Sequence, residues 1–161
     1  MELLLVRHGV AEPAARGTSD RERALTDEGR AKMKRIARAL VRIVGSAEVL
    51  WTSPLVRAKE TAALIAEEFE LGPKETSALV LDASPQELFE LLGGSSGRAI
   101  AVGHEPHLST FIAAALGVSD GSRFALKKGG CCLLQFGDAP RPGRGVLLWL
   151  ATSGMLRKMR P

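Results

Sequence analysis

The chain opens with the stretch Glu2-Leu3-Leu4-Leu5-Val6-Arg7-His8-Gly9, in which an apolar run leads into an arginine, a histidine and a glycine. A short run rich in Leu and Val that stops at a glycine predicts a buried β-strand ending in a turn. In open α/β sheets, ligands bind just beyond the carboxyl ends of the strands. Arg7 and His8 are therefore candidates for a site in which a guanidinium binds an anion and a neutral imidazole attacks it.

Two later predicted strands end with the same kinds of residue. Residues 48–51 predict a strand that breaks at Thr52-Ser53-Pro54, and Arg57 follows in the first turn of a helix. Residues 98–102 predict a buried strand that ends at Gly103-His104-Glu105-Pro106, where the proline suits the first position of a helix. The two arginines and two histidines that follow strands can together surround one tetrahedral dianion.

Three segments of the chain resemble, in order, the three signatures of the histidine phosphatase (phosphoglycerate mutase-like) superfamily. They are Leu5-Val6-Arg7-His8-Gly9, residues 53–62 and Val102-Gly103-His104-Glu105-Pro106. Residues 20–29 are similar to the segment between the first two signatures in the small bacterial branch that contains the SixA-type phosphohistidine phosphatases. Lys127-Lys128-Gly129 is a weaker similarity. The short chain fits that branch.

The resemblance implies a phosphatase that needs no cofactor and no metal. His8 is expected to attack phosphorus and to be phosphorylated transiently before water hydrolyses the phosphoenzyme. Gly9 is expected to bring backbone N–H groups close to the anion. The predicted catalytic residues are Arg7, His8, Arg57, His104 and Glu105, and the predicted phosphate-binding residues are Arg7, His8, Gly9, Arg57 and His104.

Three features keep a second interpretation open. Glu105 is either the acid that protonates the leaving group or a cap for the helix that starts at Pro106. His107 could form a metal-binding pair with His104, although a zinc site needs more ligands. Lys127 and Lys128 either add positive charge near the site or simply end a strand.

The substrate is expected to be phosphohistidine in a protein. An imidazole leaves more readily than an alkoxide, and a short chain has little length for a lid around a small substrate. The alternatives are a phosphatase of small phosphomonoesters and a non-catalytic module that binds phosphate or phosphoproteins. A mutase is disfavoured by the short chain, and binding alone would not need a nucleophile.

The composition is that of one globular domain over residues 1–161, with 45% hydrophobic residues. No apolar run approaches the ~20 residues of a membrane span, and the N-terminus does not resemble a signal peptide. Cys131 and Cys132 are adjacent, so on a strand they would face opposite sides, and two reduced thiols favour the cytoplasm.

The net charge is +4, with basic residues concentrated towards both ends of the chain. An electropositive face would attract phosphate-bearing substrates, but the basic residues of the predicted helix 27–44 are more simply its solvated side. The chain has no Tyr and only 4% aromatic residues, which disfavours nucleic acid as a partner.

Predicted strands and helices alternate over the first two thirds of the chain. Strands are expected at 2–6, 48–52 and 98–103, with a weak one near 78–81, and helices at 27–44, 55–69, 85–92 and 106–116. The last third predicts antiparallel strands at 124–126, 130–136 and 146–151. This order predicts a three-layer α/β/α sandwich whose central sheet is mostly parallel with an antiparallel edge.

Overall fold

The computed structural model describes residues 1–159, in which six strands form one sheet. The strands are β1 (Glu2–Arg7), β2 (Val49–Thr52), β3 (Pro73–Glu75), β4 (Arg98–Gly103), β5 (Cys131–Phe136) and β6 (Gly145–Ala151). Their spatial order is β3-β2-β4-β1-β5-β6. The first four in this order are parallel, and β5 and β6 are antiparallel to their neighbours, which confirms the predicted sheet.

Five helices cover the two faces of the sheet. They are α1 (Asp27–Val44), α2 (Val56–Phe69), α3 (Pro85–Leu92), α4 (His107–Leu116) and α5 (Ser153–Lys158). Side chains of α1, α2 and α5 pack with one face of β1, and those of α3 and α4 pack with the other. Because both faces of β1 are buried, its sequence is a continuous apolar run rather than an alternating one.

The start of α1 shows how local sequence places a helix against the sheet. Thr26, at the N-cap of α1, accepts a hydrogen bond from the N–H of Gly29 at 2.9 Å. A Cβ atom at Gly29 would lie 2.2 Å from the carbonyl oxygen of Val10. Glycine is therefore required where this helix meets the chain that leaves β1.

Two predicted strands were wrong, and several boundaries of other elements differ by one residue. The weak strand near 78–81 lies instead at Pro73–Glu75, and Ser77–Leu79 forms a 3₁₀ helix capped by Thr76. Residues 124–126 do not form a strand but follow the 3₁₀ helix Gly121–Arg123. Helix α4 begins at His107, one residue later than expected. Helix α5, capped by Thr152, was not predicted.

The two cysteines lie side by side on β5 but belong to different layers. Cys131 packs in the cluster shared with α1 and α2, and Cys132 packs in the cluster shared with α3 and α4. Burial raises the pKa of both thiols, that of Cys132 to about 12. Both are free thiols, as expected from the opposite directions of adjacent strand residues.

Within residues 1–159, no helix has both the length and the apolar character that crossing a membrane requires.

Candidate active site

The carboxyl ends of β1, β4 and β2 bring three chain segments together. Arg7 pairs with Gly103 in the β1–β4 register, and the next amide, that of His8, donates to the carbonyl of Gly103 at 3.1 Å. The amide of Ser53 donates to the carbonyl of Val102 on the other side of β4. As a result, the rings of His8 and His104 lie 5.0 Å apart between their centroids.

His8 is held as a neutral ring with a defined tautomer. Its Nδ1 lies 2.7 Å from the carbonyl oxygen of Gly9, and since a carbonyl only accepts, Nδ1 carries the proton. The other nitrogen, Nε2, is therefore the one with a lone pair, and it accepts a hydrogen bond from Nε of Arg57 at 3.3 Å. This is the form of histidine that can attack an electrophilic phosphorus.

Electrostatics keep His8 unprotonated at neutral pH. Burial is the largest cause that lowers its pKa, to about 4, and the cations Arg57, Arg7 and Lys128 lower it further against the raising effect of the Gly9 carbonyl. The side chain is only 5% exposed. A buried imidazole surrounded by cations is a weak base but remains an available nucleophile.

Arg57 reaches His8 from the first turn of α2 and is 3% exposed. Its terminal nitrogens donate to Asp20, NH1 to the backbone carbonyl at 2.6 Å and NH2 to the carboxylate at 3.0 Å. Thr61, one turn along α2, accepts from the amide of Gly9 at 3.1 Å and donates to the carbonyl of Arg57. Thr61 thus ties the turn after β1 to the helix that carries Arg57.

Arg7 lies on the other side of the site with donors to spare. Its NH1 donates to the carbonyl of Leu126 at 2.9 Å, whereas its Nε is buried and has no acceptor within residues 1–159. Burial lowers the pKa of Arg7, and Glu105 partly offsets this effect. A buried N–H without an acceptor is costly, and an anion bound there would satisfy it.

His104 is 1% exposed and contacts Ser53, whose hydroxyl oxygen lies 2.8 Å from its Nε2. The Ser53 hydroxyl can donate to that nitrogen, which leaves the proton on Nδ1. Nδ1 is buried without a partner in the described part of the chain. Burial, followed by His8 and Arg57, lowers the pKa of His104 to about 3. His104 can therefore donate one hydrogen bond while remaining neutral.

Gly9 is closely packed beneath the site. Its N–H is already bonded to Thr61, and its carbonyl orients His8. A Cβ atom here would lie 2.7 Å from Cγ of Met33 and 3.2 Å from Leu25. Close packing under the site therefore requires a glycine at this position.

Comparison with known proteins agrees with this geometry. The sequence model of the histidine phosphatase superfamily (branch 1) matches residues 3–80. An uncharacterised protein of Picosynechococcus is 32% identical over 145 residues, which cover 86% of this chain and 87% of the relative. The chain belongs to the histidine phosphatase superfamily.

Solved structures extend the similarity over the whole fold. The protein histidine phosphatase SixA complexed with tungstate superposes with a TM-score of 0.82 at 20% identity, covering 97% of this chain and 99% of SixA. A phosphoserine phosphatase from Entamoeba histolytica in complex with phosphoserine superposes with a TM-score of 0.75 at 18% identity, covering 98% and 99%. The histidine phosphatase fold therefore includes the segment that carries His104, beyond residue 80.

Among the expected members of this histidine phosphatase site, Glu105 is engaged with α4. Its Oε2 accepts from the Ser109 hydroxyl at 2.5 Å and from the Ser109 amide at 3.3 Å. The helix begins at His107 with Pro106 at the cap position, so Glu105 caps it from one residue further away than predicted. Its Oε1 is buried with no partner in residues 1–159. One carboxylate oxygen thus serves the helix and the other is available.

His107 is influenced by residues at the start of α3, whereas Lys128 influences His8 in the site. Burial lowers the pKa of His107, and Ser84 and Glu87 partly offset this effect. Because both residues lie at the start of α3, the His107 ring faces α3. No group of three or more His, Cys, Asp or Glu residues within residues 1–159 is arranged to hold a metal ion. Lys128 lies in the turn before β5, close enough to contribute to the lowered pKa of His8.

Two side chains of the site, Ser53 and Thr61, had no assigned role in the sequence analysis, and Asp20 was expected only to help shape the loop beside the site. Ser53 and Thr61 lie within the second signature, where their small polar side chains resemble ordinary helix-start residues. Asp20 lies in a loop whose path the sequence does not reveal. The readable signal near it was the pattern Ser19-x-x-Glu22, which forms a capping box around the 3₁₀ helix Asp20–Glu22.

Proposed function

We propose that the chain is a phosphatase that works without a cofactor through a phosphohistidine intermediate on His8, and that its substrate is phosphohistidine in a protein. The observation that carries this proposal is the fixed tautomer of His8. The Nδ1–H bond to Gly9 leaves Nε2 unprotonated, and Nε2 contacts Arg57. A module that only bound phosphate would gain nothing from this arrangement.

In the first step, Nε2 of His8 forms a bond to phosphorus while the bond from phosphorus to the leaving nitrogen or oxygen breaks. Arg7 and Arg57 stabilise the equatorial oxygens, and His104 donates from Nδ1. Phosphoryl transfer depends mainly on positioning and on stabilising charge, which these four side chains supply.

In the second step, water attacks the phosphorus of phosphorylated His8, phosphate is released and the electron pair returns to Nε2. Because Nδ1 keeps its proton throughout, the phosphorylated ring is a cation, and it leaves as a neutral imidazole. The hydrogen bond to Gly9 therefore favours turnover over accumulation of the intermediate.

The nature of the leaving group favours phosphohistidine over a phosphomonoester. A protonated imidazole departs as a neutral group, whereas an alkoxide needs a proton from an acid. The candidate acid, Glu105, already spends one carboxylate oxygen on Ser109. A substrate that does not need an acid suits this site.

The test compares phosphoimidazole and phosphohistidine in a protein with an alkyl phosphate such as phosphoserine. We expect the wild type to hydrolyse the phosphoramidates faster and Glu105→Gln to retain that activity. Ser109→Ala is the matched control, since it removes the hydroxyl contact of Glu105 with α4 but keeps its carboxylate. A wild type that prefers phosphoserine, with activity lost in Glu105→Gln but not in Ser109→Ala, would replace this proposal with a phosphomonoester phosphatase.

A further inference from the structure

The loop between β1 and α1 delivers a carboxylate to the site. Its base is closed by the pairing of Ala11 with Leu25, and its tip is the 3₁₀ helix Asp20–Glu22, held by the capping box of Ser19 and Glu22. The tip lies against the start of α2, where Asp20 meets Arg57. A loop with its own internal bonds can present one side chain at a fixed place.

Asp20 lies between two arginines. Its Oδ2 accepts from NH2 of Arg57 at 3.0 Å, and its Oδ1 accepts from NH1 of Arg23 at 2.7 Å. Arg23 is fixed in turn by a 2.7 Å bond from its Nε to the carbonyl of Glu12. Both carboxylate oxygens of Asp20 are thus occupied, although its side chain is 53% exposed.

The contacts of Arg57 are divided between the two edges of its guanidinium. NH1 and NH2 both donate to Asp20, one to the carbonyl and one to the carboxylate, while Nε donates to the nucleophilic nitrogen of His8. A guanidinium is a rigid planar fork, so fixing one edge determines where the other points. Phosphorus must arrive at the place where the Nε edge now points.

We propose that Asp20 is a positioning residue for the phosphatase reaction, which holds the NH1/NH2 edge of Arg57 so that the Nε edge faces the phosphoryl group on its way to His8. The loop tip is then part of the catalytic machinery, although Asp20 itself does not touch the substrate. This inference rests on the proposed function only in taking His8 as the phosphoryl acceptor.

The charge of Asp20 does not contradict this role. Desolvation raises its pKa, but the bonds from Arg57 and Arg23 outweigh that effect and hold the pKa below its ordinary value. The carboxylate therefore stays ionised at neutral pH and repels the substrate dianion. That repulsion is weakened by solvent at a half-exposed group, whereas misplacing a catalytic donor by about 1 Å can cost ~10²-fold in rate.

The test measures kcat and KM with p-nitrophenyl phosphate for Asp20→Asn and Asp20→Ala. The chain offers a control in Asp120, which caps the 3₁₀ helix Gly121–Arg123, pairs like Asp20 with an arginine three residues on, and is equally 53% exposed. We expect kcat to fall about 10- to 100-fold in both Asp20 variants with KM nearly unchanged. Asp20→Glu should recover part of the loss, and Asp120→Asn should keep the wild-type rate.

Binding of two anions separates positioning from other roles. Vanadate, which adopts the in-line geometry of transfer on His8, should bind more weakly to Asp20→Asn, while phosphate binding should change little. Unchanged kinetics, or tighter vanadate binding with a raised kcat/KM, would overturn the proposal, the latter by showing that Asp20 competes with substrate for Arg57. The proposal would also be overturned if the fall in kcat were fully explained by unfolding of the variant at the assay temperature.

These outcomes are distinct from failure of the proposed substrate. A wild type that hydrolyses p-nitrophenyl phosphate but no phosphohistidine protein would remove the substrate assignment and leave the Asp20 comparison intact. If neither compound were hydrolysed, the change in vanadate binding between the wild type and Asp20→Asn would still decide the role of Asp20.

Discussion

The two ends of the parallel strands carry arginines in contrasting states. At the amino ends, Arg98 donates from Nε and NH2 to the carboxylate of Glu2 and from NH1 to the carbonyls of Val44 and Ser46. At the carboxyl ends, Arg7 keeps a buried Nε with no acceptor in residues 1–159, and Arg57 donates to Nε2 of His8. Arg98 thus serves only structural partners, whereas Arg7 has an unused donor and Arg57 faces His8.

The contrast shows that donor availability identifies the site better than the shape of the surface. A hollow of about 350 Å³ lies at the amino ends, lined by residues that include Glu2, Glu48 and Arg98. Its arginine is bonded at every nitrogen to structural partners, whereas Arg7 at the carboxyl ends keeps a buried Nε for which residues 1–159 supply no acceptor. The amino ends are therefore expected to serve stability and the carboxyl ends to serve chemistry.

The largest expected effect is at His8. Replacement by Ala removes the phosphoryl acceptor, so turnover of every substrate should be abolished while the fold remains, because the residue lies beyond the end of the strand. Brief reaction with labelled substrate and quenching in base should trap label on the wild-type His8 and none on the variant. Label on another residue, or activity in the variant, would disprove the assignment.

Arg57→Ala should have the next largest effect. Loss of one donor to developing charge typically lowers kcat by 10²- to 10³-fold, which is about 2.7 to 4 kcal/mol. Kinetics with p-nitrophenyl phosphate measure the loss, and Arg42→Ala on the exposed side of α1 is the control. A loss of less than about threefold would mean that the carboxyl-end arginines are as structural as Arg98.

Arg98→Ala should lower the stability of the protein and leave its activity nearly unchanged. Its side chain and that of Glu2 are both about a quarter exposed, at 23% and 25%, so the ion pair contributes modestly. With its carbonyl contacts included, we expect about 1 to 2 kcal/mol lower unfolding free energy. Urea unfolding measures this loss, and kcat/KM should stay within twofold. Reduced activity without reduced stability would break the division between the two ends.

A further expected effect is a pH dependence of stability that comes from the carboxyl-end histidines. Their pKa values are lowered from 6.5 to about 4 for His8 and about 3 for His104, so the unfolded chain binds protons at pH values where the folded one does not. Their contribution is complete above pH 6.5 and is lost as the pH falls from 6.5 towards the folded pKa values, by roughly 2 kcal/mol each at pH 5.

Unfolding of the wild type and His104→Gln in phosphate-free buffer at pH 7 and pH 5 tests this dependence. The variant should lose less stability between the two pH values, because one of the two proton uptakes is gone. An equal loss in both proteins would contradict the assigned pKa shift.

The sequence predicted most of the fold because each layer leaves a local signal. Examples are the apolar run of β1 and, on α1 after its cap Thr26, the buried apolar residues at helical spacing. Strand β3 escaped prediction because Pro73–Glu75 is exposed and carries no apolar pattern. Residues 124–126 looked like a strand because they are largely apolar, but they lie after a 3₁₀ turn, and the carbonyl of Leu126 accepts from Arg7.

The site was predictable as a set of residue types but not as a network. Arg7, His8, Arg57 and His104 each follow a strand, so the topology alone brings them to one edge. The contacts that orient them span 37 residues from Asp20 to Arg57 and 51 from Ser53 to His104. Pairings over such distances depend on loop paths, for which composition and periodicity give no signal.

The adjacent thiols on β5 can report separately how often each of the two layers opens. Each is inert to alkylation while buried and protonated, so its labelling rate reports how often the layer that covers it departs from the sheet. The labelling rate of Cys131 measures opening of the layer of α1 and α2, and that of Cys132 measures opening of the layer of α3 and α4. Equal rates would mean that the sandwich opens as one cooperative unit. Unequal rates would show which layer opens more often, without an engineered probe.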